Sequence, residues 1–247
     1  MRIFLTGDTH GGIDIHKLYE FNTEYPNLTK KDLVIILGDF GVIWDELDES
    51  TYSLIDQYEQ FNFSTAFVLG NHEGYDLLET FPREEWNGGM VRRISDSIVQ
   101  LENSEIYSIN EKDFFVMGGA ESIDKKLRKP HISWWPQEIP KQKIRMNGIK
   151  KLLEYTSKHS YLPDYILTHT PPAAIIDEMH PYHHIKMDEY AYWLDYFLTL
   201  KDMYGIKWYC GHMHEDVSIK NPFIEKLDED FAVKYVYILY NNIIEIN

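Results

Sequence analysis

The stretch "TAFVLGNHEGYD", residues 65–76, carries the pattern on which the fold turns. A run of apolar and β-branched residues reaches Gly70, and an amide, an imidazole and a carboxylate follow at once as Asn71, His72 and Glu73. A short apolar run without alternation suits a strand covered on both faces. The same arrangement recurs along the chain. "IFLTGDTHG" delivers Asp8 and His10, "VIILGDFG" delivers Asp39, "YILTHTPP" delivers His169, and "KWYCGHMHED" delivers His212 and His214. Five runs end in this way, four of them at a glycine. Glycine allows the backbone positive φ and brings the next side chain in close. In an open α/β sheet the carboxyl ends of the strands are where ligands bind.

Working outward, runs rich in β-branched and aromatic residues mark strands at 2–6, 33–37, 65–69, 98–101, 104–109, 114–117, 165–168, 206–210 and 231–240. The last is expected near a sheet edge. Residues 98–117 read as an antiparallel meander with "EN" and "NEKD" as its turns. Helical spacing over 13–25 uses Ile15, Leu18, Tyr19 and Tyr25, while Ser50 or Thr51 is placed to cap 52–61 and Asp188 to cap 189–200. Strand–helix units early and hairpins later predict an α/β chain with mixed sheets between helices.

The chain has 247 residues, 44% of them hydrophobic, which is enough to bury a substantial core. No linker or repeat interrupts it, so a single domain over 1–247 is expected, with a long insert loop around 118–140. "MRIFLTGD" lacks the length of a secretory core, and no stretch approaches the roughly 18 apolar residues of a membrane span. Cys210 is the only cysteine and precedes "GHMH" in an apolar strand, so a buried thiol and a cytoplasmic location are expected. A formal charge of −16 argues against broad affinity for nucleic acid or an anionic membrane. Nine of the 24 Lys and Arg nevertheless fall between Asp124 and Lys151, as a solvated helix face or as a basic rim for a phosphorylated ligand.

Carboxylate, imidazole and amide oxygen without thiolate suit Mn, Fe, Zn, Co or Ni and exclude a cysteine-based cluster. Seven such residues are too many for one tetrahedral ion and suit two ions that share a carboxylate.

In this order the motifs D-x-H, G-D, G-N-H-[DE], H and G-H-x-H resemble those of the calcineurin-like metallophosphoesterase superfamily. They stand here as "GDTH", "GD", "GNHE", "H" before "TPP", and "GHMH", spanning residues 8 to 214. The resemblance implies a four-layer αββα sandwich, two mixed β-sheets packed face to face with helices outside. It implies two divalent or trivalent transition-metal ions, one on Asp8, His10, Asp39 and His214, the other on Asp39, Asn71, His169 and His212. A hydroxide bridging them would attack phosphorus in phosphomonoesters or phosphodiesters. His72 matches the position beside the metals that contacts phosphate and protonates the departing oxygen, work that suits a group titrating near 6.5. A helix-start carboxylate is the plainer account of Glu73.

Protein phosphatases of this superfamily continue the second motif as G-D-x-x-D-R-G, where this chain has Val42 and Ile43. The carboxylate that orients the histidine is then sought at Asp45 or Asp76. A phosphate grip is sought in 118–138, where Arg128 offers a planar fork and Trp134 or Trp135 a stacking surface, unless the tryptophans anchor the loop to the core. His180, His183 and His184 either line the entrance or belong to a solvated loop. The expected substrate is a phosphorylated small molecule or nucleotide. A nuclease or nucleotide-processing phosphodiesterase is the alternative, with long nucleic acid less favoured, and a non-catalytic scaffold of the same fold is a third possibility.

Overall fold

Alternation along the strands sorts the apolar residues onto two faces, and this sorting builds the layers. A computed structural model describes residues 1–180, 187–201, 205–225 and 231–246. One sheet contains β1 (Ile3–Thr6), β2 (Leu33–Ile36), β3 (Ser64–Phe67), β4 (Arg83–Trp86), β5 (Gly89–Arg93), β6 (Ile98–Leu101) and β13 (Ile244–Ile246), in the order β13-β1-β2-β3-β6-β5-β4. The other contains β7 (Glu105–Ile109), β8 (Lys112–Met117), β9 (Tyr165–Thr168), β10 (Ile206–Cys210), β11 (Val217–Lys220) and β12 (Val233–Ile238), in the order β11-β12-β10-β9-β8-β7. Both sheets are mixed, with parallel neighbours β1, β2, β3 and β6 in the first and β8, β9, β10 and β12 in the second.

Odd-numbered residues of β1 and β2, such as Leu5 and Ile35, meet Val116, Leu167 and Tyr209 of the facing sheet in one buried cluster. Their neighbours Phe4, Val34 and Ile36 point the other way, onto α1 (His16–Glu24), α2 (Glu49–Glu59) and the short α3 (Tyr75–Leu78) through Leu18, Phe21, Ile55, Tyr58 and Leu78. On the far side Phe115, Ile166 and Trp208 pack against α4 (Gln142–His159), α5 (Ala173–Met179) and α6 (Glu189–Leu198) through Leu152, Ile175 and Leu194. The result is the expected αββα sandwich.

Several local expectations change. Residues 98–117 are not one meander: β6 belongs to the first sheet, and β7 and β8 alone of this stretch form an antiparallel hairpin in the second. The segment at Glu102–Asn103 passes between sheets, with Ser104 at φ 68°. The strand expected near an edge, β12, does lie there, one position in from the edge strand β11. Asp48, not Ser50 or Thr51, caps α2 by accepting from the Thr51 amide at 2.8 Å. Asp188 caps α6 as anticipated, accepting from the amides of Tyr190 and Ala191. In α1 the buried face is Lys17, Leu18 and Phe21, and Tyr19 points outward.

Leu167 is fully buried between the sheets whereas Leu153 on α4 is 63% exposed. Urea denaturation of Leu167→Ala is expected to show a loss of about 2–5 kcal/mol, and Leu153→Ala a change within roughly 0.5 kcal/mol.

Candidate metal centre

The carboxyl ends of β1, β2 and β3 and those of β8, β9 and β10 meet at one end of the sandwich. Cross-sheet hydrogen bonds fasten them: the Gly119 amide donates to the Leu69 carbonyl at 2.7 Å, and His169 Nδ1 donates to the Leu37 carbonyl at 2.7 Å. Three groups of side chains gather there: Asp8, His10 and His214; His10, Asp39 and His72; and Asp39, His169 and His212. Within each group the ligand atoms all lie within 4.8 Å of one another. Asn71 joins through Oδ1, 3.2 Å from His169 Nε2. Residues from five strand ends, up to 206 positions apart (8 to 214), thus share one cluster.

Asp39 is its centre. Its Oδ1 accepts the His72 amide at 2.7 Å and lies 3.2 Å from His169 Nε2, while Oδ2 lies 3.3 Å from His10 Nε2. Its carbonyl accepts the amides of Thr9 and His10 at 3.0 and 2.8 Å, tying the first loop to the second. Of the four strand-end glycines only Gly38 has positive φ. Gly70 and Gly211 are required for space: an added Cβ would meet Asp39 Oδ1 at 2.1 Å and Asp8 Oδ1 at 2.4 Å, respectively. The left-handed backbone falls instead on the side chains that matter, with φ of 43° at His10, 51° at Asp39, 67° at His212 and 54° at His214. Such non-glycine conformations cost on the order of 1–3 kcal/mol each and persist where surrounding bonds over-determine them.

Partners outside the cluster aim the rings inward. His10 Nδ1 is 2.7 Å from Asp14 Oδ2, and Asp14 also accepts from the Tyr240 hydroxyl at 3.1 Å. His214 stacks on Tyr240 at 4.7 Å. Lys17, buried beneath the first loop, donates to the carbonyls of Gly7 at 3.0 Å, Asp8 at 2.7 Å and Tyr240. Burial pulls its pKa down to about 8 against the pull of Asp8 and Asp14. Glu73 is not a helix-start carboxylate; it is buried and accepts from the amides of Phe40 at 2.8 Å and Gly41 at 3.3 Å, holding the turn just past Asp39. Asp14, Lys17 and Tyr240 went unremarked in the sequence. A lysine on the apolar face of α1, one turn before Phe21, was the available signal for Lys17.

The donor set fits a cation. Asp8 Oδ2 is buried without a hydrogen-bond partner, although His214 Nε2 lies 3.1 Å away. Burial raises the Asp39 pKa, but His169 and His10 outweigh it and hold the carboxyl well below its usual range. Burial likewise opposes charge on His10 and His169, yet the carboxylates lift both to about 9. Burial and the neighbouring His169 pull His212 down to about 4. Positive charge therefore concentrates beside Asp39 and Asp8, the place a metal ion takes when these imidazoles bind it in neutral form.

Next to the cluster opens a cavity of about 470 Å³. Its polar wall is Asp39, Asn71, His72, His212 and His214, and Arg128 reaches it from the insert. Arg128 Nε pairs with Asp124 at 2.7 Å and Nη1 donates to the Ser133 carbonyl at 3.1 Å; among the described residues nothing bonds Nη2. The tryptophans do not line the cavity. Trp135 is 1% exposed and meets Trp44 edge-on at 5.0 Å, so it anchors the loop; Trp134 lies beneath Lys125. Neither Asp45 nor Asp76 makes a hydrogen bond or ion pair with His72, whose ring has Asp39 within 4.8 Å and faces His10 at 5.2 Å and Trp44 at 6.0 Å. Asp76 instead clasps the insert, accepting from His131 at 2.6 Å, Trp135 at 3.1 Å and Gln137 at 2.7 Å.

Of the nine cations in the basic segment only Arg128 reaches the cavity, and Lys126, Lys129, Lys141 and Lys143 are exposed. Lys125, Arg128, Arg145, Lys150 and Lys151 all have acidic partners. His180 closes α5 with its Nε2 3.8 Å from Glu215, away from the cavity, and His183 and His184 lie outside the described residues. Cys210 is buried, with burial pushing its thiol up.

The chain belongs to the calcineurin-like phosphoesterase family, whose model matches residues 1–216. That family implies metal-dependent hydrolysis of phosphoesters, and the Asp/His groups of this site could hold the metal. A comparison with curated proteins found no match. Among the described residues no helix is long and apolar enough to cross a membrane.

Gly211→Ala, whose Cβ collides with Asp8, is expected to keep its circular dichroism spectrum and lose about tenfold or more in Mn²⁺ affinity by calorimetry. Asp76→Ala removes the acceptor for three donors of the insert. Limited proteolysis within 121–135 is expected to accelerate, with metal content unchanged.

Proposed function

We propose that the chain is a dinuclear metal-dependent phosphoesterase, acting on phosphomonoesters or phosphodiesters of small molecules, with Asp39 shared between the ions. The observation that carries this is the buried Asp39 carboxylate, common to the groups His10–Asp39–His72 and Asp39–His169–His212. One ion is assigned to Asp8, His10, Asp39 and His214, the other to Asp39, Asn71, His169 and His212. Manganese, iron, zinc, nickel and cobalt all suit these donors. When bound, the pair supplies charge neutralisation for phosphoryl oxygens and lowers the pKa of water.

The chain's own groups do the rest. Asn71 contributes a neutral oxygen, which limits the negative charge gathered around Asp8 and Asp39. In hydrolysis water oxygen joins phosphorus, the bond from phosphorus to the ester oxygen breaks, and a proton must reach that departing oxygen. His72 is assigned this delivery: it lines the cavity and its amide is fixed on Asp39 Oδ1 at 2.7 Å. Burial holds its pKa below the ordinary value in the free chain, assisted by His10 and Arg128 against Asp39. A phosphoryl dianion arriving beside the ring acts in the opposite sense, so protonation accompanies substrate binding. Arg128 presents its guanidinium to phosphate oxygens. The net charge of −16 favours a small substrate over a long nucleic acid. Residues 1–247 are taken to work as one domain, and a lone buried cysteine suits a reducing cytoplasm.

Hydrolysis of aryl mono- and bis-phosphates is expected after loading with Mn²⁺, Fe, Zn²⁺, Ni²⁺ or Co²⁺; no turnover with any of them contradicts the proposal. His72→Ala should lower kcat by about 10²–10⁴-fold while keeping its metal. Asp39→Asn should lose both turnover and metal by elemental analysis.

A further inference from the structure

Part of the cavity's lining is apolar. Ile176 on α5 and Ala191 on α6 are 5% and 2% exposed and pack with Ala173, while Met187 and Met213 lie against them. Four of these five, Ile176, Ala191, Met187 and Met213, line the cavity, and Ile123, 89% exposed, stands on its insert side. The charges that face the same space beyond the metal ligands are mostly negative: Glu121, Asp124 and Asp188. Among the described residues the only lysine or arginine lining it is Arg128, and its Nε is already paired with Asp124. Lys125, two residues beyond Ile123, is engaged by Glu121. Among the described lining residues a single phosphoryl group therefore has partners, whereas a second anionic group would meet carboxylates. A volume of about 470 Å³ suits a phosphoryl group with one compact substituent.

We propose that this apolar lining is the leaving-group subsite and that it selects phosphoesters whose leaving group is compact, uncharged and apolar, a benzyl- or aryl-like alcohol, against leaving groups that carry further phosphates. The selectivity presupposes the phosphoesterase activity proposed for the site. Its physical origin is burial of apolar surface against Ile176, Ala191 and Met187, with repulsion from Asp188 acting against the competitor. Each additional buried methylene in such a pocket is worth roughly 10–200-fold in discrimination.

The test uses the full chain loaded with Mn²⁺. Benzyl phosphate, glyceryl phosphate and adenosine 5′-diphosphate are compared by kcat/KM, since benzyl and glyceryl phosphate both release an alcohol and differ chiefly in polarity. Benzyl phosphate is expected to lead both by at least about tenfold. Met187→Glu is expected to erase most of that lead, mainly through KM. Equal rates, or a preference for the nucleoside diphosphate, overturn the proposal. Calorimetry separates its failure from failure of the activity. Benzylphosphonate, which is not hydrolysed, should bind the loaded chain at least about tenfold more tightly than methylphosphonate. Equal binding refutes the subsite even in an active enzyme, and the expected difference in a chain that hydrolyses nothing supports the subsite while removing the esterase assignment.

Discussion

The Asp39 carboxylate is the constraint around which the molecule is arranged. It is buried between two imidazoles at 3.2 and 3.3 Å, takes the His72 amide on one oxygen, and through its carbonyl holds the amides of Thr9 and His10. An ionised group so placed is costly unless positive charge surrounds it, and the chain supplies that charge from β1, β9 and the loop after β3. Everything nearby yields to it. Gly70 leaves it room, Glu73 pins the turn that follows it, and Asp39 itself takes a left-handed backbone at φ 51°.

The two sheets make this convergence possible. Three parallel strands in each sheet end on the same side, so that short loops deliver side chains without long excursions. Period-two packing keeps Leu5, Ile35, Val116 and Leu167 between the sheets and leaves the loops to polar groups. The strain in four site residues is carried by rigid strands on either side, which is where backbone cost is best tolerated. The clasp at Asp76 extends the same logic outward, because it connects the segment after the GNHE turn to the loop that presents Arg128.

Much of this was legible in the chain, for a physical reason. Strands buried on both faces must be continuously apolar, and so 33–37, 65–69 and 165–168 declared themselves, with polar side chains crowded at their ends. The β4–β5 hairpin did not. "REEW" and "GMVRR" are largely polar and sit at an edge, held in part by Arg93–Glu84 and Arg83–Glu102 ion pairs that no periodicity reveals. The passage from β6 to β7 looks like a hairpin turn in sequence because sheet membership depends on partners far away. The roles of Asp76, Asp14 and Tyr240 were hidden likewise: each bonds residues 4 to 226 positions distant, and their meaning appears only when the strand ends meet. Trp135 shows the converse, an aromatic residue that invites a ligand role and is spent on packing against Trp44.

The most direct test of the proposed Asp39 bridge is the electron paramagnetic resonance spectrum of the full chain loaded with Mn²⁺ to saturation. A carboxylate shared by two ions brings them within about 4 Å, and the expected result is the broad, temperature-dependent spectrum of an exchange-coupled pair. A six-line signal from isolated, uncoupled Mn²⁺ at full occupancy would contradict it.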